Sequence, residues 1–340
     1  MLGSAGCAAE TTTNEDVSVT VTARTGVNIF GGETDDDSNA NGGVVALKIG
    51  SSGTFELCSG ALIAKKVVLT ARHCILKGEA TTVSCNENGE AGKHGEFGTE
   101  HPPSTVAVYT GASPSFGGTP AAVGSTIVAP NTPSLCDSDI ALVVLDREIE
   151  GVTPLPVRLD AGVVKGETIR SVGYGQNDKL LPMGTRLRKA GVQVLAKGRG
   201  VSPSRTALGP HEFEVGRSMC HGDSGGPAIS ETTGAVLGVV SRGGDCNADY
   251  GHIYTTTAGW SELFDEAFAI AGGAPMHEDL TLTRPTGHTP SRAVDSSTED
   301  FAAESCSTTK TPARGGATLV ALLGCAVALG TRSRRPRRSP

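Results

Sequence analysis

Residues 222–227 read Gly-Asp-Ser-Gly-Gly-Pro, and this run determines how the rest of the chain is interpreted. It places Ser224 on a glycine-rich turn, four residues after Cys220. Glycines on either side let the backbone adopt positive φ and approach a substrate closely. The amides of Gly222 and Ser224 can then point at one spot, where a developing oxyanion would sit. Because Gly, Asp, Ser and Pro are all turn formers, an ordinary surface turn is the alternative interpretation.

A serine hydroxyl needs a base and an orienting acid before it can attack a carbonyl group. His73 follows an apolar run and is the candidate base. Asp139 opens a buried apolar strand and is the candidate acid, because a carboxylate entering a core needs a specific partner. Asp137 competes for this role, but Asp139 stands directly before the run 140–142 and is preferred. The chain order His, Asp, Ser is that of one well-known hydrolytic triad.

These motifs together resemble those of the chymotrypsin/trypsin-type serine endopeptidases. The resemblance covers about residues 29–272, and Arg72 stands where the family usually has alanine. The matching segments are Leu69-Thr70-Ala71-Arg72-His73-Cys74, Asp139-Ile140-Ala141-Leu142 and residues 222–227, with further matches at 58–63, 172–175 and 239–241.

The resemblance implies an all-β fold of two six-stranded antiparallel Greek-key β-barrels with a C-terminal helix. The active site would lie in the cleft between the barrels. His73, Asp139 and Ser224 would form the catalytic triad, and the amides of Gly222 and Ser224 would form the oxyanion hole. No cofactor is implied.

The composition agrees with an all-β domain. Short β-branched runs separated by Gly, Pro, Asn and Ser predict strands, for example over Val44–Ile49 and Ala61–Thr70. Apolar residues at helical spacing predict one amphipathic helix near Gly259–Ala271. The net charge of −7 argues against a broad nucleic-acid-binding surface. No spacing of His and Cys matches a common zinc site, so no metal is expected.

Six of the nine cysteines fall within residues 29–272. The resemblance implies one disulfide beside His73 and one beside the primary specificity pocket, and the two cysteines that remain are expected to form the third. The even number favours an oxidising compartment over buried free thiols. The expected pairs are Cys58–Cys74, Cys220–Cys246 and Cys85–Cys136, in that order.

The resemblance also assigns a primary specificity pocket, in which Ser218 replaces the aspartate that trypsin uses to bind Lys or Arg. An apolar wall at Met219 then favours an apolar residue before the scissile bond. Asp245 or Asp249 could restore a basic preference. The family's serine at the position of Ser241 also hydrogen-bonds the buried aspartate, which is Asp139 in this chain. The expected pocket residues are Ser218, Met219, Ser241 and Gly243, with Arg242 in place of the family's usual aromatic residue.

Activation is predicted from Ile29-Phe30-Gly31-Gly32, which resembles the segment exposed when zymogens of this family are cut. Cleavage after Asn28 would free the Ile29 amine. A buried ammonium group needs a partner, and Asp223 is the matching carboxylate. Residues 1–28 would then be a signal remnant or propeptide, and an activating protease would be a partner. Asn28 departs from the basic residue that is usual at such a site.

The two ends of the chain bear on its location. Residues 273–314 have the composition of a disordered linker. Residues 315–340 hold an apolar run that is short for a membrane span and is followed by arginines. This tail resembles the sorting tails of myxobacterial surface proteins, and a plain tail anchor is the alternative. Residues 4–7 resemble the close of a lipoprotein signal, although a chance Cys7 fits equally well. We therefore expect an exported bacterial protein, either on the cell surface or outer membrane or secreted.

The predicted function is that of a serine endopeptidase acting on protein or peptide substrates through an acyl-enzyme. A non-catalytic homologue that binds peptides or surface partners is one alternative. An esterase that uses the same triad is the other.

Overall fold

In the computed structural model, the structure describes residues 32–35, 40–50, 55–77, 83–92, 98–132, 134–176, 181–182, 184–243, 246–279 and 281. Fifteen strands and one α-helix lie in this part of the chain, with short 3-10 helices at Arg72–Ile75 and Pro103–Thr105. The elements are β1 (Glu33–Thr34), β2 (Val44–Ile49), β3 (Glu56–Ala64), β4 (Val67–Thr70), β5 (Val106–Tyr109), β6 (Ala122–Val128), β7 (Ala141–Leu145), β8 (Thr168–Gly173), β9 (Leu187–Lys197), β10 (Gly200–Val201), β11 (Ala207–Leu208), β12 (Glu212–Val215), β13 (Pro227–Ser230), β14 (Val236–Arg242), β15 (His252–Thr256) and α1 (Ser261–Ala271).

The strands form two closed six-stranded antiparallel barrels. The first closes in the order β2-β3-β4-β7-β6-β5. The second closes in the order β8-β9-β12-β15-β14-β13, because β8 pairs with both β9 and β13. The short strand β1 pairs with β9, and β10 and β11 form a separate hairpin. The predicted architecture of two barrels and a C-terminal helix is confirmed.

Opposite faces of the same strands fill different cores. In β2, Val45 and Leu47 lie in the core of the first barrel, whereas Val44 and Ala46 lie in a second cluster. That second cluster also contains side chains of β13, β14 and α1, including Phe264, so both barrels and the helix share it. A third cluster fills the second barrel. Strands buried on both faces need apolar residues at every position, which explains why their sequences do not alternate.

Two of the predicted elements have different bounds in the structure. The run Ala61–Thr70, predicted as one strand, is the hairpin of β3 and β4, with a turn at Lys65 and Lys66. The predicted helix is confirmed as α1, which begins at Ser261. Its buried face packs against β7 of the first barrel, through residues Leu263, Phe264, Ala267 and Phe268.

All three expected disulfides are present in the structure. Two of them close loops beside predicted site residues, and the third ties the segment after His73 to the loop before Asp139. The pairs are Cys58–Cys74, Cys220–Cys246 and Cys85–Cys136. Their presence fits an exported protein.

The chain after α1 returns to the linker between the barrels. Val157 donates its N–H to the Met276 carbonyl at 2.8 Å and accepts the Glu278 N–H at 3.0 Å. The Arg158 guanidinium donates to the carboxylates of both Glu167 and Glu278. The chain up to residue 278 is therefore attached to residues 157–158, which lie between the two barrels in the sequence.

None of the helices in the described ranges is long and apolar enough to cross a membrane. The predicted tail, residues 315–340, lies outside the described residues, as do Cys7, Asn28 and Ile29.

A fully buried ion pair holds the N-terminal segment to the second barrel. Arg186 and Asp35 both have side chains with 0% exposure, and Arg186 Nε donates to Asp35 Oδ2 at 2.8 Å. Asn41 Nδ2 donates to the other oxygen of Asp35 at 3.1 Å. Arg186 also reaches the carbonyl of Val44 and the hydroxyl of Tyr174. The pair thus joins the start of the domain to both barrels.

Asp35→Ala should lower the free energy of unfolding by about 3 kcal/mol, because it leaves the Arg186 guanidinium buried without its carboxylate. Chemical denaturation measures this change. Glu33→Ala is the control, because Glu33 pairs with Arg188 while 76% exposed and its loss should cost less than about 1 kcal/mol. Equal losses for both variants would contradict the role given to Asp35.

Candidate active site

Asp139 holds His73 by two hydrogen bonds. The His73 backbone N–H donates to Asp139 Oδ1 at 2.8 Å, and His73 Nδ1 lies 2.8 Å from Asp139 Oδ2. Asp139 is completely buried, whereas the His73 side chain is 24% exposed. The 3-10 helix that follows β4 carries His73, and β7 begins just after Asp139. The bond at Nδ1 leaves Nε2 as the nitrogen available to an incoming group.

Asp139 also controls the proton affinity of His73. Burial of the imidazole by itself lowers the pKa of His73, but the charge and hydrogen bond of Asp139 outweigh burial and raise the pKa above its ordinary value. A raised pKa makes Nε2 a stronger base once the ring is neutral.

Ser224 lies on the turn between Cys220 and β13, close to the segment that carries His73. Its neighbour Gly225 has a φ of +74° and packs against Thr70 and Ala71. A Cβ at Gly225 would lie 2.8 Å from the Ala71 nitrogen, so only glycine allows this approach. Because Ala71 is two residues before His73, this contact places the turn close to the segment that carries His73.

Two amides of the turn are available to a ligand. Gly222 has a φ of +92°, a conformation that side chains rarely adopt. Among the described residues, the N–H groups of Gly222 and Ser224 donate no hydrogen bond, whereas those of Asp223 and Gly225 donate to backbone carbonyls. These two N–H groups are the ones that the sequence assigned to the oxyanion hole.

Asp223 is buried beneath the turn, with 2% of its surface exposed. Its carboxyl group accepts the N–H of Gly175 and the N–H of Cys220, each at 2.9 Å. Burial raises the pKa of Asp223 to about 7, since these two hydrogen bonds only partly offset the cost of burying the charge. Within the described part of the chain no cationic side chain pairs with Asp223, and its predicted partner Ile29 lies outside that part.

Asp137, the competing candidate for the acid, lies in the turn before Asp139 and has a histidine partner of its own. It accepts the backbone N–H of His211, and its Oδ2 lies 2.9 Å from His211 Nδ1. It also donates its own N–H to the fully buried carboxylate of Glu212. The two aspartates are two positions apart, and each pairs with a different histidine. Asp139 is the one that contacts His73.

Glu212 also neutralises Arg242, which replaces the family's aromatic residue. The Arg242 guanidinium makes two hydrogen bonds to the Glu212 carboxylate, one of them at 2.8 Å. The Arg242 side chain is only 14% exposed. The charge of Arg242 is therefore paired within the fold. No local sequence pattern predicts this ion pair, because the two residues are 30 positions apart.

Of the predicted pocket residues, Met219 and Gly243 lie against each other, and Ser218 is bonded to a neutral hydroxyl. Ser218 is fully buried, with Oγ 3.3 Å from Tyr254 Oη, which in turn lies 2.7 Å from Ser171 Oγ. The Met219 methyl packs against the backbone of Gly243, because a Cβ there would lie 2.7 Å from Met219 Cε. The groups that surround the Ser218 hydroxyl in these contacts are therefore uncharged.

The expected hydrogen bond between Ser241 and Asp139 is absent. Ser241 Oγ is buried and has no hydrogen-bond partner among the residues described. Each oxygen of Asp139 accepts one hydrogen bond from His73. The prediction for this one bond was wrong.

Cys58, His73 and Cys74 bring ligand atoms within 4.8 Å of one another. The two sulfurs form a disulfide and therefore offer no thiolate to a metal ion.

Two six-stranded barrels with these histidine, aspartate and serine motifs define the chymotrypsin-like class of protein. The model of the Trypsin family matches residues 29–261. The chain belongs to the trypsin family.

The chain is similar to the cercarial protease of Schistosoma mansoni, with 30% identity over 201 residues that span 55% of this chain and 70% of that protein. Human heparin binding protein has a similar fold, with a TM-score of 0.52 and 21% identity over 72% of this chain and 99% of its own. The scabies mite inactivated protease paralogue S-I1 gives a TM-score of 0.50 and 16% identity over 71% and 99% of the two chains. At these identities the two solved structures show the fold alone.

Asp223 should make the free energy of unfolding of the full-length chain depend on pH. Its pKa of about 7 in the fold lies above the ordinary value of 3.8, so the folded state binds more protons between these values. The free energy of unfolding should therefore fall as pH rises from about 4 to about 7, by at most about 4 kcal/mol from this group. Asp223→Asn should remove that slope in chemical denaturation across this pH range.

Asp265→Asn, on the exposed face of α1, is the control and should leave the slope unchanged. An unchanged slope in Asp223→Asn would mean that the buried carboxyl group is not what titrates.

Proposed function

We propose that this protein is a serine endopeptidase in which Ser224, His73 and Asp139 act as a triad. The observation that carries the proposal is the double hydrogen bond from His73 to the buried Asp139 carboxylate, beside a glycine-framed serine. This bond fixes both the position of the imidazole and its tautomer, which is what a general base requires.

In the proposed reaction, Ser224 Oγ attacks the scissile carbonyl carbon while its proton passes to His73 Nε2. Asp139 stabilises the imidazolium that forms, and the N–H groups of Gly222 and Ser224 donate to the tetrahedral oxyanion. The proton on Nε2 then moves to the leaving amine as the C–N bond breaks, which leaves an acyl-enzyme. Water repeats the same steps with His73 as base and releases the acid.

The reaction needs a neutral His73 in the free enzyme. Because Asp139 raises the pKa of His73, kcat/KM should rise with pH through a value above about 6.5.

A non-catalytic binding protein is the alternative to an enzyme. The chain itself retains all three triad residue types, with the His–Asp geometry intact. A binding protein has no need of this arrangement, and so we favour the enzyme.

The pocket supports a preference for a small apolar residue before the scissile bond. The hydroxyls of Ser218 and Tyr254 bond each other, so the base offers no charge to a Lys or Arg side chain. Burial raises the pKa of Tyr254 to about 12, so this hydroxyl stays neutral. Met219 occupies space that a long side chain would need.

Activation by cleavage after Asn28 and anchoring by residues 315–340 are part of the proposal. The buried Asp223 carboxyl group supports the first, because an ammonium group beside it would convert a neutral acid into one half of an ion pair. The three disulfides support export. N-terminal sequencing of active protein tests the cleavage site, and an active chain that starts at Met1 would exclude it.

Membrane fractionation of cells that make the protein with and without residues 315–340 tests the anchor, and an unchanged distribution would exclude it.

Ser224→Ala should lower turnover of casein by roughly four to six orders of magnitude, because the attacking oxygen is lost. A fluorophosphonate probe should label the wild-type chain and fail to label this variant. Ser230→Ala is the matched control, since Ser230 is buried at the far end of β13. Undiminished cleavage by Ser224→Ala would refute the proposed nucleophile. A wild-type chain that has been cut after Asn28 and still neither cleaves nor labels would favour the binding protein.

Met219→Ala should shift the preference of the enzyme towards larger residues. Digestion of a peptide library by the wild type should favour Ala and Val before the scissile bond. The variant should gain at least about tenfold in relative kcat/KM for Leu and Phe, because space opens beside Gly243. Met276→Ala, whose side chain is 45% exposed, is the control. A wild-type preference for Lys or Arg would contradict the neutral base and would implicate Asp245 or Asp249.

A further inference from the structure

Ser59 is a buried serine in β3 that contacts the predicted nucleophile turn. It lies between Cys58 and Gly60 in the sequence and has 0% exposure. Because β3 belongs to the first barrel and the turn leads into β13 of the second, every bond between Ser59 and the turn joins the two barrels.

Two hydrogen bonds run from Ser59 to the turn. The Ser59 backbone N–H donates to the Ser224 carbonyl at 2.8 Å. The Ser59 hydroxyl donates to the Gly222 carbonyl at 3.0 Å. The first bond would form with any residue at this position, whereas the second requires a hydroxyl group.

Two further bonds fix Ser59 itself. The Tyr174 backbone N–H donates to Ser59 Oγ at 2.9 Å, so the hydroxyl accepts one bond and donates another. Thr70 Oγ1 donates to the Ser59 carbonyl at 2.9 Å. The Tyr174 ring is anchored in turn, because its hydroxyl lies 2.9 Å from the Val44 carbonyl and 2.8 Å from the Gly111 carbonyl, and these two acceptors share its one proton. The hydroxyl of Ser59 is therefore held at a defined point between the barrels.

The two bonds to the turn restrain particular peptide groups. The Gly222 carbonyl belongs to the peptide that joins residues 222 and 223, and the Ser224 carbonyl belongs to the peptide that joins 224 and 225. Between these two lies the peptide that carries the Ser224 N–H, one of the two amides that donate no hydrogen bond in the described part of the turn. The same peptide is held through its Asp223 carbonyl, which accepts the Gly226 N–H at 2.8 Å, and the bonds from Ser59 restrain the peptides on both sides of it. Together these bonds set the direction of the Ser224 N–H.

We propose that Ser59 is a positioning residue of the oxyanion hole, and that its hydroxyl aims the Ser224 N–H by holding the Gly222 carbonyl. The inference rests on the proposed function, because it assigns the purpose of these bonds to catalysis. Ser59 touches neither substrate nor the reacting atoms. It acts through the turn, and the effect of its removal should be largest where the oxyanion forms.

Ser59→Ala, compared with the wild type after both chains are cut after Asn28, should lower kcat by about ten- to a hundredfold, since small misplacements of reacting groups have effects of this size. KM should change by less than about twofold, because the hydroxyl does not contact the substrate ground state. The Ki of a peptide boronate, whose adduct with Ser224 places an oxygen in the hole, should rise in parallel with the loss of kcat. Ser230→Ala, another fully buried serine whose hydroxyl bonds only to backbone, is the matched control and should leave kcat, KM and Ki unchanged.

Hydrogen exchange provides a readout that does not need turnover. Ser59→Ala removes the acceptor of the Tyr174 N–H and the donor to Gly222, so peptides that span residues 172–176 and 220–226 should exchange at least about tenfold faster. Ser230→Ala should leave both peptides as in the wild type. Thermal unfolding of both variants shows whether Ser59→Ala remains folded at the temperature of the measurements.

The outcomes separate this inference from the proposed function. If the wild type cleaves casein and Ser59→Ala retains kcat and boronate affinity, the inference is wrong and the proposed function stands. If kcat and KM change together with no change in exchange at 220–226, Ser59 does not position the turn. If the wild type cut after Asn28 neither cleaves nor labels, the proposed function fails, and unchanged exchange in Ser59→Ala would then overturn the structural part of the inference as well.

Discussion

The site depends on a single buried carboxylate whose two oxygens both bond to one residue. Asp139 accepts the backbone N–H and the ring Nδ1 of His73, so it fixes the main chain and the side chain of the base together. The cost of burying this charge is offset only if both bonds form. The geometry of the first barrel therefore has to bring the end of β4 and the start of β7 into register, and these strands do pair, with Thr70 opposite Ala141.

The nucleophile turn is held to that first barrel from the other side. Gly225 lies against Thr70 and Ala71, and Ser59 bonds to the carbonyls on either side of the Ser224 amide. Beneath the turn, Asp223 is fixed by two backbone amides and not by a cationic side chain in the described chain. The turn is thus attached to the first barrel by the hydrogen bonds from Ser59. Its other attachment is through the Asp223 carboxyl group, whose charge depends on pH and on any group that binds it.

The sequence predicts best where function is encoded in a short run of residues. The runs around His73, Asp139 and Ser224 each span no more than six positions. Two of the three disulfide pairs were expected from the same resemblance, and the third was the pair of cysteines that remained. Contacts between distant residues were not accessible in this way. Ser59 bonds to a residue 163 positions away, and Arg186 to one 151 positions away, and neither spacing carries a local signal.

Individual errors had identifiable physical causes. A bond from Ser241 to Asp139 was expected, but the Ser241 hydroxyl has no hydrogen-bond partner among the described residues, although Asp139 still has lone pairs to offer beside its two bonds from His73. Asp137 was a second candidate for the acid beside His73, yet it pairs with His211, 74 positions away. In each case the residue type was read correctly and its partner was not, because the partner is chosen by the packing of the two barrels.

The segment after α1 gives the fold a particular mechanical property. Residues 276–278 run alongside Val157, and Glu278 is bonded to Arg158 in the linker between the barrels. A pull on the chain beyond residue 281 would load these hydrogen bonds and the ion pair in shear before any force reached α1. Tension applied at the C-terminal end would thus load the contacts of residues 276–278 with Val157 and Arg158 first. No force would reach α1 or the cleft between the barrels until those contacts broke.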